Sequence, residues 1–210
     1  MQSKNSWPEK PSDWKDLPAT FSENKIEIGG RAVMWNWSKP YMEELAKIAT
    51  RNGGIILEIG FGFGLSADYI QKQAIEKHVI VEMNTDIFAK LKVFMQSAPK
   101  TVEPILGLWQ EVIPSMQDES FDGIIFDAFP LSKGDREYHF SFFEHAYRLL
   151  KRGGVFTYYS SEESDFSARH LKKLHAAGFR NIQKTVCAVN PSEDCLYWKS
   201  KTMVAPILIK

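Results

Sequence analysis

Three glycines follow the first aliphatic run of the chain, in the segment LEIGFGFGLS at residues 57–66. Glycines placed after a buried strand let the backbone turn tightly, approach a ligand closely and begin a helix. Because Gly64 follows Gly62 after a single residue, the spacing is GxGxG, which differs from the GxGxxG of nicotinamide-binding folds. The segment therefore predicts a ligand-binding loop, and a glycine-rich turn without a ligand is the alternative.

A second candidate is Glu82, in the apolar segment HVIVEM at residues 78–83. In doubly wound folds an acidic residue at the tip of the second strand, about 20 residues past the glycines, accepts hydrogen bonds from ribose hydroxyls. Glu82 lies at that distance, although an acidic residue at a strand end can also be a solvated charge. Together with GxGxG and the acidic residue of the preceding strand, it favours the S-adenosylmethionine (SAM) site of class I methyltransferases.

A third candidate is Asp127, in the segment FDAFPL at residues 126–131. Ligands bind outside the carboxyl ends of the strands in doubly wound sheets, which places Asp127 beside the reactive end of a cofactor. A carboxylate can orient and deprotonate a nitrogen nucleophile, and an aromatic ring such as Phe129 can line the pocket. The segment predicts a site that methylates amines, with a helix cap or turn aspartate as the alternative.

The elements that position these residues alternate between strands and helices. Aliphatic runs predict strands at 55–59, 78–83, 101–106, 121–126 and 155–159, and helical spacing predicts helices at 41–50, 65–74, 85–97, 140–151 and 166–177. The last two β-rich runs, 181–190 and 195–209, are joined by a short loop and predict an antiparallel hairpin. We expect an α/β fold with a doubly wound, mostly parallel seven-stranded sheet, Rossmann-like, at 31–210, and an N-terminal arm at 1–30 that docks on it.

Composition limits the class of partner. The 210 residues contain 26 Lys plus Arg and 26 Asp plus Glu, so no basic surface for nucleic acid is expected. No apolar run approaches the length of a membrane span, and the two cysteines and scattered histidines lack metal-ligand spacing. We expect a cytoplasmic enzyme without a metal that acts on a small-molecule substrate, as a monomer or homodimer.

Seven segments, in order, resemble one family. They are VMWNWSKPYM, LEIGFGFG, VIVEMN, GLWQEV, FDGIIFDAFPL, HAYRLLKRGGVFTYY and NPSEDCLYW with MVAPILIK. They are similar to guanidinoacetate N-methyltransferase and its relatives, which include the fungal arginine N-methyltransferases. The resemblance runs from about residue 14 to residue 210 and implies a class I methyltransferase fold, SAM as methyl donor, S-adenosylhomocysteine as product, and transfer to a guanidino nitrogen.

The resemblance also implies which residues act. The catalytic carboxylate of the family falls on Asp127, and Trp109 would flank the adenine. The family's cofactor contacts fall on Trp14, Met34, Met42, Gly60, Phe61, Gly62, Phe63, Gly64, Glu82, Met83, Asn84, Leu108, Trp109 and Asp127.

Two departures from the family concern the acceptor. The relatives hold the guanidinium with a second carboxylate, a glutamate in the pattern VMxxWE, and this chain has Ser38 at that position. After the fifth predicted strand the chain reads SSEESDFS, where Glu162 and Glu163 would repel a carboxylate and favour a cation; solvated loop charges are the alternative. We therefore expect an acceptor other than guanidinoacetate. The expected substrate contacts are Trp35, Trp37, Ser38, Phe129, Glu162 and Glu163.

Other functions stay open at this point. One is methylation of arginine in a protein or peptide, as the fungal relatives suggest, and another is a SAM-binding protein that has lost catalysis. The identity of the acceptor, the number of methyl groups transferred, and whether the acceptor atom is nitrogen also stay open.

Overall fold

The N-terminal part of the chain forms a small antiparallel sheet that the sequence pattern does not indicate. The computed structural model describes Pro8 and residues 10–132 and 138–210. Strands β1 (Ala19–Phe21), β2 (Lys25–Ile28) and β3 (Arg31–Trp35) pair in that order. Their buried side chains join the same hydrophobic cluster as the first helix of the body. The expected boundary between arm and domain, at residue 30, lies in the turn between β2 and β3.

The rest of the chain alternates helices and strands. In chain order the elements are α1 (Lys39–Ala49), β4 (Gly54–Ile59), α2 (Leu65–Ile70), β5 (Ile75–Glu82), α3 (Thr85–Ser97), β6 (Thr101–Leu106), α4 (Trp109–Val112), β7 (Phe121–Phe126), α5 (Phe143–Leu149), β8 (Leu150–Tyr158), α6 (Ala168–Ala177), β9 (Asn181–Ala188) and β10 (Thr202–Ile209).

The main sheet has seven strands in the order β6-β5-β4-β7-β8-β10-β9. The five strands from β6 to β8 are parallel, and β10 runs antiparallel to both β8 and β9. This confirms the predicted doubly wound sheet with a C-terminal hairpin. The chain order reverses at β4, whose neighbours are β5 and β7, so the carboxyl ends of these three strands form the crevice in which such sheets bind ligands.

Local sequence explains several element boundaries. The helix α3 begins as predicted because Asn84 caps it, accepting hydrogen bonds from the backbone N–H groups of Asp86 and Ile87. The helix expected at 140–151 ends instead at Leu149, because Leu150 pairs with Phe121 of β7 and begins β8. Pairing with a neighbouring strand overrides helical spacing there.

The core lies on both faces of the sheet. One face packs against α1, whose Tyr41 hydroxyl donates to the carbonyl oxygen of Val204 at 2.8 Å and so ties the helix to β10. The other face packs against α5 and α6 through a cluster that includes Phe143, Leu149 and Leu174. Within the described residues, no helix combines the length and the apolar character needed to span a bilayer.

Candidate active site

The glycine loop joins β4 to α2 and lies beside a cavity at the carboxyl ends of the strands. Gly60 and Gly62 have φ values of +91° and +54°, in the left-handed region that favours glycine. A Cβ atom on Gly60 would collide with the Asp127 carbonyl oxygen, and one on Gly62 would collide with the Met34 sulfur. Glycine is therefore needed at both positions, and the loop backbone itself forms part of the cavity wall.

The acidic residue of β4, Glu58, holds this loop from behind. Its side chain is fully buried and accepts a hydrogen bond from Ser66 in the first turn of α2. Its other oxygen lies 2.9 Å from His78 Nε2 of β5. Of the described residues, those that line the cavity do not include Glu58. Glu58 therefore fixes the start of α2 rather than contacting a ligand.

Glu82, the last residue of β5, presents a buried carboxylate to the cavity. Its Oε2 accepts the Phe61 N–H at 2.9 Å and its Oε1 accepts the Asn84 N–H at 2.8 Å. A carboxylate has about four lone-pair positions, so acceptor capacity is left for hydroxyl groups of a ligand. Burial raises the pKa of Glu82, and the backbone hydrogen bonds oppose that shift.

Asp127 follows β7 directly and lies on the same cavity. Its backbone N–H donates to the Ile59 carbonyl at 2.9 Å, which continues the pairing of β7 with β4. Its pKa is raised well above the ordinary value, first by burial and then by the negative charges of Glu58 and Glu82. A cation bound here would offset this cost and stabilise the ionised carboxylate.

The cavity has a volume of about 760 Å³, within the usual range of small-molecule sites. The structure brings eleven of the residues expected from the sequence onto its wall. These are Met34, Trp35, Ser38, Gly60, Gly62, Glu82, Met83, Leu108, Trp109, Asp127 and Phe129.

Other expected site residues lie behind the wall. Trp14 is fully buried, donates its indole N–H to the Leu131 carbonyl at 3.2 Å and packs edge-on against Phe129. Asn84 caps α3, and its amide donates to the carbonyl of Trp14 at 3.1 Å. Five further expected residues also lie outside the described cavity lining: Met42, Phe61, Phe63, Gly64 and Trp37.

The expectation for Glu162 and Glu163 needs correction. Neither is among the described residues that line the cavity. Glu162 turns toward α6, where it accepts hydrogen bonds from Ser167 and lies 3.0 Å from His170 Nδ1, and these contacts lower its pKa although burial opposes them. Glu163 is exposed. Glu162 therefore anchors the start of α6, and the described cavity wall includes neither glutamate.

Sequence reasoning missed several residues of the wall. Tyr159, Tyr197 and Trp198 line the cavity. His139, for which the sequence left a position facing the pocket open, lines it as well, and burial and His170 lower its pKa to about 3. Tyr197 and Trp198 belong to the loop between β9 and β10, more than sixty residues from Asp127 in the chain. The aromatic pair in CLYW was the available signal, but only the return of the hairpin to the sheet shows where it lies.

This arrangement of glycine loop, strand-end acid and aspartate agrees with a family comparison. The family model described as guanidinoacetate N-methyltransferase matches residues 6–210. The chain belongs to the guanidinoacetate N-methyltransferase family. Its family and its fold are those of SAM-dependent methyltransferases.

Curated relatives of this family member are fungal. Protein arginine N-methyltransferase 2 of Yarrowia lipolytica is 28% identical over 161 residues, which cover 72% of this chain and 33% of the relative. The protein of the same name from Aspergillus fumigatus is 29% identical over 158 residues, 73% of this chain and 37% of the relative. The chain thus spans little more than a third of the length of these relatives.

Solved structures support the fold. A spermidine synthase in complex with the transition-state analogue AdoDATO superposes with a TM-score of 0.64 at 17% identity, covering 93% of this chain and 73% of that one.

The residues present fit SAM. The glycine loop offers backbone close to the cavity, and Glu82 presents its carboxylate at the strand end where doubly wound folds hold a ribose. Leu108 and Trp109 line the same cavity after β6, and Trp109 is held edge-on against Phe126 and Phe142 with centroids 5.7 and 5.3 Å apart. An adenosine-type group therefore has a place for its base, its ribose and its charged tail.

At position 38 this chain has a serine where the pattern VMxxWE has a glutamate. Ser38 lies on the cavity wall, is 1% exposed, and donates its hydroxyl to the Trp35 carbonyl at 2.7 Å. The hydroxyl is neutral and already engaged with the backbone. Ser38 therefore adds no negative charge to the cavity.

Proposed function

We propose that the chain transfers the methyl group of SAM to a nitrogen of a small guanidino or amino compound, and that guanidinoacetate is not its preferred acceptor. The observation that carries the proposal is the position of Asp127, half-buried on the same cavity wall as the glycine loop and Glu82, with a serine at position 38. The cofactor and the acceptor would meet at the carboxyl ends of β4 and β7.

The residues of this chain would assist transfer by position and by proton acceptance. SAM supplies a methyl group on a positively charged sulfur. A guanidinium has a pKa of roughly 12.5 or higher and is a poor nucleophile while protonated. Asp127 would accept a hydrogen bond from the acceptor N–H, aim the nitrogen at the methyl group, and take up the proton that the nitrogen loses.

The charges around Asp127 favour a cationic or neutral acceptor. Glu58 and Glu82 already raise the pKa of Asp127, so a further carboxylate nearby would add repulsion. Losing a charged hydrogen bond at position 38 lowers guanidinium affinity by roughly one to two decades. An acceptor of this chain must therefore gain binding energy from other contacts.

A methyl-transfer screen tests the proposal. The purified protein is given SAM with a labelled methyl group and a panel of guanidines and amines, with guanidinoacetate as reference. We expect transfer to at least one small nitrogen compound and poor use of guanidinoacetate. Turnover of guanidinoacetate better than any other acceptor would contradict the specificity, and no transfer to any nitrogen compound would indicate a protein that binds SAM without catalysis.

Arginine in a protein or peptide is the second candidate acceptor. It is supported by the names of the fungal relatives, Protein arginine N-methyltransferase 2. The screen therefore includes arginine-containing peptides and folded proteins. Transfer to these but not to free guanidines would favour this candidate.

The first prediction concerns Glu82. Glu82→Gln should weaken S-adenosylhomocysteine binding by about ten- to a hundredfold, because a neutral amide accepts weaker hydrogen bonds from ribose hydroxyls. Calorimetric titration measures the change. Glu76→Gln is the control and should leave affinity unchanged, because Glu76 is an exposed residue of the same strand and the described cavity wall does not include it. Equal affinity in Glu82→Gln and the parent protein would remove Glu82 from the cofactor site.

The second prediction concerns pH. Because burial and neighbouring acids raise the pKa of Asp127, kcat/KM for the acceptor should rise with pH through a limb well above the ordinary carboxyl range near pH 4. Protonated Asp127 cannot accept a proton, so activity falls below that limb. His139 stays neutral above its pKa of about 3, so it cannot cause this rise of kcat/KM with pH. A limb at roughly pH 4 would contradict the raised pKa.

A further inference from the structure

The cavity that Asp127 lines has aromatic rings in its wall. We use the name aromatic wall for four of them, Trp35, Tyr159, Tyr197 and Trp198. They come from three separate parts of the chain: the end of β3, the residue after β8, and the loop between β9 and β10. The wall exists only in the folded chain, and none of its members except Trp35 is suggested by the sequence.

Other rings pack behind the wall and hold it in place. Tyr41 meets Tyr159 edge-on with centroids 5.3 Å apart, and Trp37 lies beside Tyr197 with centroids 6.3 Å apart. Tyr197 is 41% exposed, so its ring stands at the mouth of the cavity. The wall therefore reaches from the interior to the opening.

The two phenols of the wall are uncharged neighbours of Asp127. The pKa values of Tyr159 and Tyr197 are raised, first by burial, and the charge of Asp127 contributes to both shifts. Tyr159, Tyr197 and Asp127 all line the same cavity. The phenols add polarity to this end of the cavity without adding charge.

The two indoles of the wall carry donors that the protein does not satisfy. Trp35 is 4% and Trp198 9% exposed, and neither Nε1 has a hydrogen-bond partner among the described residues. A buried donor without a partner is unfavourable, and such groups in native structures often serve a ligand. An oxygen on the bound acceptor could pair with them.

A carboxylate is disfavoured here, because the described cavity lining holds four acids, Glu27, Glu82, Asp127 and Asp194, against two cations, Lys25 and Arg31. Lys25, whose Nζ lies 5.4 Å from the centre of the Trp35 ring, already pairs with Glu27 at 3.0 Å. Asp127 and Glu82 line the same cavity and would repel a second anion. An uncharged oxygen can accept the indole N–H bonds without that repulsion.

We propose that the aromatic wall holds the far end of the acceptor through an uncharged hydrogen-bond-accepting oxygen, such as a hydroxyl, an ether or an amide carbonyl. This inference rests on the proposed N-methyltransferase function and narrows its substrate class. The acceptor would be a small amine or guanidine whose nitrogen lies at Asp127 and whose neutral oxygen meets the indoles of Trp35 and Trp198.

A matched series of guanidines tests the end group. Guanidinoacetate, guanidinoacetamide, 2-guanidinoethanol and propylguanidine end in a carboxylate, an amide, a hydroxyl and a methyl group. Their affinities are measured by calorimetry on the protein saturated with S-adenosylhomocysteine. We expect the amide and the hydroxyl to bind about three- to tenfold more tightly than the methyl-ended compound, and the carboxylate to bind most weakly.

Three conservative variants test the wall. Trp35→Phe and Trp198→Phe keep a ring but remove the N–H, and each should reduce the preference for a neutral oxygen. Tyr147→Phe is the control, because it also removes a hydrogen-bond donor from a ring, but Tyr147 packs against Phe179 and the described cavity wall does not include it. A preference that survives both wall variants, or that Tyr147→Phe lowers equally, would overturn the proposal.

Three further outcomes separate this proposal from the proposed function. If Trp35→Phe and Trp198→Phe change only the affinity for S-adenosylhomocysteine, the indoles serve the cofactor and the aromatic-wall proposal is wrong. Equal methyl transfer to all four compounds would leave the N-methyltransferase function standing and reject the wall. Absence of measurable binding by all four compounds would reject it as well, whatever the result of the broader screen.

Discussion

Asp127→Asn should reduce methyl transfer by roughly 10²- to 10⁴-fold while the affinity for S-adenosylhomocysteine stays near that of the parent protein. Asparagine has almost the same shape, but its amide cannot take up the proton that the acceptor nitrogen loses. It also removes the negative charge that would hold a cationic acceptor. The loss should therefore affect both kcat and KM for the acceptor.

Two measurements separate this role from general damage to the fold. The rate of S-adenosylhomocysteine formation is measured with the best acceptor of the screen, and calorimetry measures S-adenosylhomocysteine affinity. Asp194→Asn is the matched control, because Asp194 is an exposed acid at the mouth of the same cavity. If Asp127→Asn turns over as fast as Asp194→Asn, Asp127 is not the proton acceptor.

Cofactor-side features of this site are local in sequence, and that is why they could be predicted. The glycine spacing, Glu82 and Asp127 each follow a strong aliphatic run directly, and parallel strands bring their carboxyl ends to one edge. The strands β6 and β7 and the helix α3 have the predicted bounds for the same reason, since each is a regular run with clear ends.

The acceptor side depends on contacts that are distant in sequence. β1 to β3 are short strands with mixed polar residues, and their pairing becomes visible only when Ile26 and Ile28 are seen to be buried against the body. Glu162 was expected at the cavity by its place after β8, but Ser167 and His170 of the following helix turn it away. A local sequence pattern cannot show whether Glu162 faces the cavity or the following helix.

Glu58, the acidic residue before the glycine loop, belongs to a buried chain of polar contacts. A chain of contacts runs from the Lys100 N–H to Gln71 Oε1 at 2.9 Å, from Gln71 Nε2 to His78 Nδ1 at 3.3 Å, and from His78 Nε2 to Glu58 at 2.9 Å. The last of these contacts is a close approach of two buried polar atoms, because neither His78 Nε2 nor Glu58 Oε2 has a hydrogen bond of ordinary geometry among the described residues. The glycine loop thus rests on a polar network in which the side chains of His78 and Glu58 are fully buried.

Breaking this network should have the largest effect on stability. His78→Leu leaves the Glu58 carboxylate buried with Ser66 as its remaining side-chain partner, and we expect the free energy of unfolding to fall by about 3–5 kcal/mol. Urea denaturation measures it. Lys77→Ala on the same strand is the control, because its pair with Glu103 is partly exposed and should contribute below about 1 kcal/mol.

The double variant Glu58→Leu/His78→Leu distinguishes the buried charge from lost packing. Replacing both partners removes the unpaired carboxylate, so part of the stability lost in His78→Leu should return. The Ser66 hydroxyl would still lose its acceptor, which keeps the recovery incomplete. If His78→Leu costs no more than Lys77→Ala, then Ser66 alone suffices for Glu58, and His78 contributes only its volume to the core.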